Sequence, residues 1–177
     1  MKQHAFLAVV LGVVCAVANA SEYQSDKNWF TIKYDSDWKS KTSPDLTIEL
    51  ALVPNSDACS AVGFLSIGAI YDQKFSGVTT DDFLKVATGE AITRQVKSFP
   101  GVSDFKLLRE GKAKLGDVNA YEVLISYTTP AGARYRHTFV TFNRGYTYNV
   151  SFHSTPESFK SDFEVAKKVF RTFKFTR

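Results

Sequence analysis

Few residues in this sequence are able to do acid–base or metal chemistry. Beyond residue 20 its histidines are His137 and His153, and its one cysteine is Cys59. General-base catalysis near neutral pH most often uses His, so a His-based triad or metal site would have to use these two positions. No third ligand stands at metal-ligand spacing from either of them. The sequence therefore predicts no catalytic residue, no metal site and no bound cofactor.

Two side chains could serve as the nucleophile of a hydrolase. Ser66 lies in the stretch Gly63–Gly68, which approaches a nucleophile elbow but has one residue too many before the serine and continues as a strand. We therefore interpret Ser66 as a buried strand residue. Cys59 has no basic neighbour in the sequence to activate it, and a single cysteine cannot close an internal disulfide. We expect Cys59 to be a small packed residue, with a reactive or intermolecular thiol as the alternative.

A third pattern gathers cations and aromatic rings on a single hairpin. The residues concerned are Arg134, Arg136, His137, Arg144 and Tyr146. Such interleaving can bind nucleic acid or anionic glycans. The formal net charge of +4 is small, however, and export argues against a nucleic-acid partner. We therefore expect these residues to form a solvated strand face, and we keep them as candidates for binding another extracytoplasmic protein.

Hydrophobic periodicity predicts the strands that position these residues. Alternating or branched apolar residues indicate strands at 29–34, 46–53, 61–71, 104–110, 112–115, 121–127, 134–142, 146–153 and 173–175. The length of the turn after Asn143 decides which residues of the last two long strands pair with each other. With a two-residue turn His137 faces the row of Phe152 and Val150 and His153 points to the opposite side, whereas a three-residue loop lets both histidines share a face.

Two helices separate and follow these strands. The first is predicted from Thr79, where Asp82 completes a pattern like a capping box, to about Phe99. The second is predicted after a cap at Ser154-Thr155-Pro156, with an apolar face. That face consists of Phe159, Phe163, Ala166 and Phe170. The order strands, helix, strands, helix predicts an α+β domain with a mainly antiparallel sheet whose helices cover its faces.

The pattern of the first 20 residues indicates a secretory signal. An apolar run from Ala5 to Val17 follows Lys2 and ends in Ala18-Asn19-Ala20, which predicts cleavage before Ser21 and one domain over 21–177. A lipid-attachment site at Cys15 is the alternative, but Val14 stands where a small residue is needed. No later stretch is apolar over 18 residues, so we expect no integral membrane segment after cleavage. The protein is predicted to be periplasmic or secreted.

The chain resembles the PsbP-like superfamily, which includes the DcrB-like bacterial exported proteins. The resemblance rests on Trp-Phe-Thr-Ile-Lys-Tyr followed by Trp38, on the strand from Arg144 to Phe152, and on Ser154-Thr155-Pro156-Glu157 leading into the last helix. It spans about residues 28 to 176. The resemblance implies an α-β-α sandwich and a non-enzymatic role in assembly or binding, and it transfers no catalytic residue.

Three classes of function follow from these observations. The first is a non-catalytic exported module that binds or assembles with another extracytoplasmic protein. The second is a carrier of a small ligand or lipid, with a pocket between sheet and helix. The third is a hydrolase with an unrecognised site, which would need a Ser or Cys within reach of His137 or His153.

Overall fold

The computed structural model describes residues 20–41, 48–55 and 63–176. The predicted signal up to Asn19, and with it Cys15, lies outside these residues, as does Cys59. No helix in this part of the chain is long and apolar enough to cross a membrane.

A seven-stranded sheet forms the middle layer. Its strand order is β3-β4-β5-β9-β8-β7-β6, and every neighbouring pair is antiparallel. The strands are β3 (Trp38–Lys41), β4 (Ile48–Pro54), β5 (Phe64–Tyr71), β6 (Ser103–Leu115), β7 (Val118–Thr129), β8 (Gly132–Asn143) and β9 (Tyr146–Ser154). A second, three-stranded sheet has the order β1-β2-β10, with β1 at Ser21–Ser25, β2 at Phe30–Tyr34 and β10 at Lys174–Phe175.

Helices cover both faces of the large sheet. On one face lie α1 (Thr80–Val86) and α2 (Gly89–Lys97), which contact β6, β7 and β8. On the other face α3 (Phe159–Phe170) packs on β9, and the small sheet adjoins it through β2. The predicted α+β class, with helices flanking a mainly antiparallel sheet, is confirmed.

The first predicted helix is two helices. Thr79 caps α1 as expected, because its hydroxyl accepts from the Asp82 N–H at 3.1 Å and donates to the Asp82 carboxylate at 2.7 Å. The chain then turns extended at Ala87, and Thr88 caps α2 by accepting from the Ala91 N–H at 3.2 Å. Gly89 opens α2 beside β6, where a β-carbon would approach Leu107 to 3.0 Å. The break therefore seats α2 closely on the sheet.

The last helix begins later than predicted. It starts at Phe159, not at the Ser154-Thr155-Pro156 cap, although its apolar face is the predicted one. Ser154 is buried at the end of β9 and donates to the Asp162 carboxylate at 2.5 Å. This hydrogen bond connects the first turn of α3 to the end of β9.

The β8–β9 hairpin has the two-residue turn. Arg144 and Gly145 both have positive φ, of 52° and 81°, and Asn143 pairs with Tyr146. Two consecutive residues with positive φ are the mark of a type I′ turn, whose twist suits a hairpin. Gly145 has a second reason to lack a side chain, because a β-carbon there would lie 2.8 Å from the Tyr71 ring. His137 therefore pairs with Phe152, and His153 points to the opposite face.

Candidate functional site

A pocket of about 260 Å³ lies between α2 and the large sheet. Strands β5, β7, β8 and β9 form its floor, and α2 with the residues after it forms one wall. Its lining consists of Ile48, Phe64, Ser66, Gly68, Ile70, Ile92, Thr93, Gln95, Val96, Phe99, Val123, Ile125, Arg136, Thr138, Asn149, Ser151 and His153. None of these residues is acidic, so the lining that the described residues supply is cationic, neutral polar and apolar.

Arg136 supplies the charge of this pocket. Its Nε donates to the Thr138 hydroxyl at 3.1 Å and its Nη2 donates to the Ser151 hydroxyl at 3.1 Å. No carboxylate in the described part of the chain forms an ion pair with it. Burial lowers the pKa of Arg136, yet a guanidinium remains protonated at any physiological pH. The pocket therefore holds a half-buried positive charge to which the described residues offer no carboxylate.

His153 stands beside Arg136 on the paired strand. Its ring stacks on Phe64 with centroids 4.2 Å apart and planes 6° from parallel. Burial lowers the pKa of His153 well below its usual value, and the nearby Arg136 charge lowers it further. The imidazole is therefore neutral at pH 7, where it can donate or accept one hydrogen bond toward a ligand.

Apolar side chains complete the pocket. Val123 and Ile125 are buried on β7, and Val96 faces them from α2. Ile70 and Phe99 line the pocket while remaining 47% and 46% exposed, so they form an apolar rim at its opening. A polar centre with apolar walls and rim is suited to a ligand that combines an anionic group with a hydrocarbon part.

The histidines do not form a catalytic pair. His137 lies on the α3 face, is 1% exposed, and shares a hydrogen bond of 3.0 Å with the Glu122 carboxylate. Burial lowers the pKa of His137 to about 4. In the described part of the chain no serine hydroxyl hydrogen-bonds to His137 or His153, and no three His, Cys, Asp or Glu side chains come together. Among the described residues no Ser–His pair is assembled, and Cys59 lies outside them.

Comparison with known proteins rests on structure. No family model matches the chain, and no curated protein matches its sequence. The solution structure of cyanobacterial PsbP from Synechocystis sp. PCC 6803 is 12% identical, with a TM-score of 0.61 over 96% of this chain and 98% of that one. The chain has a PsbP-like fold.

Two further structures of similar extent share this fold. The crystal structure of LpqN, involved in cell envelope biogenesis of Mycobacterium tuberculosis, is 15% identical, with a TM-score of 0.58 over 90% of this chain and 92% of that one. PA94 of Pseudomonas aeruginosa, a protein of unknown function described as a putative regulator, is 13% identical with a TM-score of 0.52, over 86% and 94%. At these identities the likeness concerns the fold alone.

The PsbP-like fold does not bring the five predicted binding residues onto one surface, although Arg134 and Arg136 share a face of β8 and both lie near Tyr127. Arg136 and His137 are neighbours on β8 and therefore face opposite sides of the sheet. Arg134, near the start of β8, donates to the backbone carbonyls of Ala133 and Ala131. At the other end of the hairpin, Arg144 lies over the Trp29 ring at 4.8 Å, and the Tyr146 hydroxyl donates to the Lys27 carbonyl at 3.3 Å.

The structure therefore does not assemble these residues into one cationic patch. Strand β8 is 12 residues long, and alternation along it separates odd from even positions. Sequence reasoning missed Thr138 and Ser151, which orient Arg136, and the rim residues Ile70 and Phe99. A usable signal existed: once the two-residue turn fixes the register, Arg136 and Thr138 share a face with Ser151 and His153.

Proposed function

We propose that this protein is a non-catalytic binding module whose ligand is a small anion with an apolar part, held in the pocket between α2 and the sheet. The observation that carries the proposal is the Arg136 guanidinium, which lines an apolar-walled pocket without a carboxylate partner among the described residues. Binding supplies the missing countercharge.

Electrostatics favours a charged ligand group over a neutral one. A desolvated cation is costly unless an anion and further hydrogen bonds compensate it. Ser151 and Thr138 compensate with neutral dipoles and no charge. A ligand carboxylate, sulfate or phosphate monoester would form charge-assisted hydrogen bonds with the guanidinium, and these are about twice as strong as neutral ones. Neutral His153 can contribute a further hydrogen bond to the same group.

The size of the pocket limits the ligand. At about 260 Å³ it is slightly smaller than most ligand pockets, which begin near ~300 Å³. A short acyl chain or a single ring fits such a space, whereas a two-chain lipid does not. The exposed rim at Ile70 and Phe99 can cover part of a hydrocarbon tail that extends from the opening.

Export is part of the proposal. The predicted signal ends at Ala20, and we propose that the mature protein begins at Ser21 and works in the periplasm or outside the cell. The assignment of LpqN, a protein of the same fold, to cell envelope biogenesis supports this placement. Intact-mass analysis of the exported protein should give a chain starting at Ser21. A diacylglyceryl mass on Cys15 or an uncleaved chain would contradict it.

Octanoate titration tests the ligand class. We expect octanoate to bind the mature chain, and octanol, which has the same chain length without the charge, to bind at least tenfold more weakly. Arg136→Gln should weaken octanoate binding by about tenfold or more, because a charge-assisted hydrogen bond contributes about 1.5–3 kcal/mol. It should leave octanol binding unchanged.

Arg134→Gln is the matched control for Arg136→Gln. It removes the same charge from the same strand, but Arg134 does not line the pocket. Isothermal titration calorimetry should give wild-type affinity for this control. Equal affinity of octanoate and octanol, or equal loss in both variants, would refute the anion pocket. Turnover of an ester substrate by the wild-type chain, abolished by His153→Gln, would refute the non-catalytic assignment.

A further inference from the structure

Exposed aromatic side chains gather where three turns meet at one end of the large sheet. Tyr71 ends β5, Phe75 closes a single 3₁₀ turn after it, and Trp29 lies in the turn between β1 and β2. Their exposed fractions are 53%, 39% and 36%, which makes them three of the eight large apolar residues that are exposed in the described part of the chain. A cluster of such residues marks an interaction surface, whereas scattered ones need no explanation. We call this cluster the hairpin-tip surface.

The turn between β8 and β9 holds the hairpin-tip surface together. On one side, Arg144 lies over the Trp29 ring at 4.8 Å. On the other side, a β-carbon at Gly145 would lie 2.8 Å from the Tyr71 ring and 3.3 Å from the Cα of Ser76, which directly follows the 3₁₀ turn. The three turns therefore form one continuous surface around the tip of the hairpin.

The backbone keeps the Trp29 side chain at the surface. Its φ is 55°, a value that bulky residues rarely adopt, while the next residue, Phe30, is fully buried. The Thr176 N–H donates to the Trp29 carbonyl at 2.9 Å, and the Tyr148 hydroxyl donates to the Asn28 carbonyl at 2.7 Å. A strained backbone persists only where its surroundings fix it, and such positions cluster at binding sites.

A depression of about 440 Å³ lies beside Arg144. Phe142 and Phe175 are among its apolar walls, and Arg144 is the one charged residue of the lining that the described residues supply. The acidic residues of the neighbouring helix α1, Asp81 and Asp82, are each already bonded to another side chain. The depression is therefore suited to the anionic head of an amphiphilic molecule.

Further cations stand in the same turns. Lys27, Lys74 and Arg144 are exposed and form no ion pair with the described residues. The acidic residues of these turns already accept hydrogen bonds from within the chain, Asp26 from the Gln24 amide and Asp72 from the Lys74 N–H at 2.9 Å. The three cations are therefore the charges left for an incoming anionic group.

We propose that the hairpin-tip surface docks on an anionic lipid bilayer, with its three rings among the lipid headgroups and Arg144 on a lipid phosphate. Tryptophan and tyrosine are the residues that accumulate at bilayer interfaces, because each combines an apolar ring with a polar edge. Lysine and arginine beside them gain attraction from anionic lipids. The surface presents both kinds of group together.

The area of the surface favours a bilayer over a second copy of the chain. A fully covered aromatic side chain buries about 150–250 Å², so three rings exposed by 36–53% offer roughly 300 Å². A stable dimer buries about 800 Å² on each partner. A bilayer needs no such area, because shallow insertion of a few rings adds to the attraction between cations and lipids.

Vesicle flotation tests this proposal with the chain that begins at Ser21, since the apolar run before it would bind lipid by itself. We expect binding to vesicles that contain phosphatidylglycerol, weaker binding to pure phosphatidylcholine, and a decrease as salt rises. Tryptophan emission should shift to shorter wavelength, and brominated acyl chains should quench it. Trp38, the other tryptophan, is buried, so both signals report Trp29.

The variant Trp29→Asn/Tyr71→Ser should weaken partitioning into phosphatidylglycerol vesicles at least tenfold. Asparagine tolerates the positive φ at position 29, so this variant should fold. The matched control Val86→Ser/Leu108→Ser also removes two large exposed apolar side chains, and neither residue lines a cavity at the hairpin tip. It should change partitioning less than twofold.

The charge is tested separately through Arg144→Asn. Asn-Gly is the preferred pair for a type I′ turn, so the variant keeps the hairpin while removing the cation. It should weaken binding to phosphatidylglycerol vesicles by about fivefold, the effect of one cation at an anionic membrane surface, and leave binding to phosphatidylcholine unchanged. Lys168→Gln, which removes the same charge at an exposed position on α3, should change either affinity less than twofold.

The remaining outcomes separate docking from its alternatives. Octanoate binding should persist in Trp29→Asn/Tyr71→Ser, because neither residue lines the Arg136 pocket. Absence of vesicle binding, equal losses in a variant and its control, or flotation without a change in tryptophan emission would overturn the proposal. Dimerisation lost in Trp29→Asn/Tyr71→Ser, without vesicle binding, would replace the bilayer by a second copy. Calorimetric binding of inorganic phosphate that depends on Arg144, without vesicle binding, would replace it by a free anion.

Discussion

The two faces of the large sheet are packed differently. Toward α3 and the small sheet the core is closed and aromatic: Phe30, Tyr148, Phe152 and Phe173 are each 0% exposed. Toward α2 the buried apolar set is small, and a pocket of about 260 Å³ opens beside Arg136. The same strand serves both faces, since β9 directs Phe152 to one side and Ser151 and His153 to the other.

This difference shows how one face of a sheet can stabilise the fold while the other face provides a pocket for a ligand. Close packing of large rings stabilises the folded chain, and the fully buried rings of Phe30, Phe152 and Phe173 leave no space among them for a ligand. Hydroxyl groups, a cavity and a cation without a carboxylate partner among the described residues contribute little to stability, but they create a specific environment for a charged molecule. Truncating a large side chain should therefore destabilise the protein strongly on the α3 face and weakly on the α2 face.

Truncating one phenylalanine on each face gives the largest expected difference. Phe173 is fully buried against Phe30 at 5.6 Å, so Phe173→Ala should lower the free energy of unfolding by about 3–5 kcal/mol. Phe99 is 46% exposed at the pocket rim, so Phe99→Ala should cost less than about 1 kcal/mol. Urea denaturation measures both values. Similar costs for the two variants would remove the distinction between the faces.

The pH dependence of stability tests the burial of His137 on the α3 face. Burial lowers the pKa of His137 to about 4 in the folded protein, against 6.5 as the ordinary value. Between these values the unfolded chain binds a proton that the folded chain does not. The stability contributed by neutral His137 is therefore complete above pH 6.5 and is lost as the pH falls toward 4, by about 3 kcal/mol.

His137→Gln should remove this part of the pH dependence. Glutamine can still donate to the Glu122 carboxylate but does not titrate. Urea midpoints between pH 4 and 7 should therefore change less in the variant than in the wild type. The pKa of His153 is lowered too, so the double variant with His153→Gln should be flatter still. An unchanged slope in His137→Gln would show that the pKa of His137 is the same in the folded and the unfolded chain.

Much of the fold could be predicted because its elements have strong local signals. The alternation from Tyr121 to Tyr127 and the spacing from Phe159 to Phe170 gave the right elements. Strand β1 was missed because Ser21–Ser25 is polar, and its pairing with β2 gives it a strand conformation that periodicity does not indicate. The two predicted strands on either side of Gly111 form one continuous strand, β6.

The candidate site could be predicted only in part. Arg136 was recognised as a binding residue, but a strand arginine was expected on a solvated surface together with Arg134 and Arg144. It lines a pocket together with α2, whose start at Gly89 follows a helix break that the period of 3.6 residues does not resolve. The side on which each residue lies depends on the turn at Arg144 and Gly145, where positive φ at a bulky arginine is not predictable from propensity.

On the α2 face, a substitution with a smaller effect on stability distinguishes ligand binding from stability. Arg136→Met removes a desolvated charge and leaves Thr138 and Ser151 hydrogen-bonded to each other at 2.9 Å. Replacing a buried charge by an apolar residue of similar length is often neutral or stabilising, so we expect a gain of about 1 kcal/mol with loss of octanoate binding. Chemical denaturation and calorimetry measure the two quantities. A loss of stability in this variant would identify Arg136 as a structural residue.

The smallest effect should come from Ser66, which lies opposite Ser151 in the pocket floor. Its hydroxyl forms no hydrogen bond with the described residues, whereas that of Ser151 accepts from Arg136 at 3.1 Å and bonds Thr138 at 2.9 Å. Ser66→Ala should therefore change the free energy of unfolding by less than about 0.5 kcal/mol, and Ser151→Ala should cost about 1 kcal/mol because it leaves buried partners unsatisfied. Both substitutions remove one oxygen from the same surface, so the difference isolates the hydrogen bonds. If Ser66→Ala proved the more costly in urea denaturation, the floor of the pocket would be a stabilising layer like that beneath α3, and the contrast between the two faces would fail.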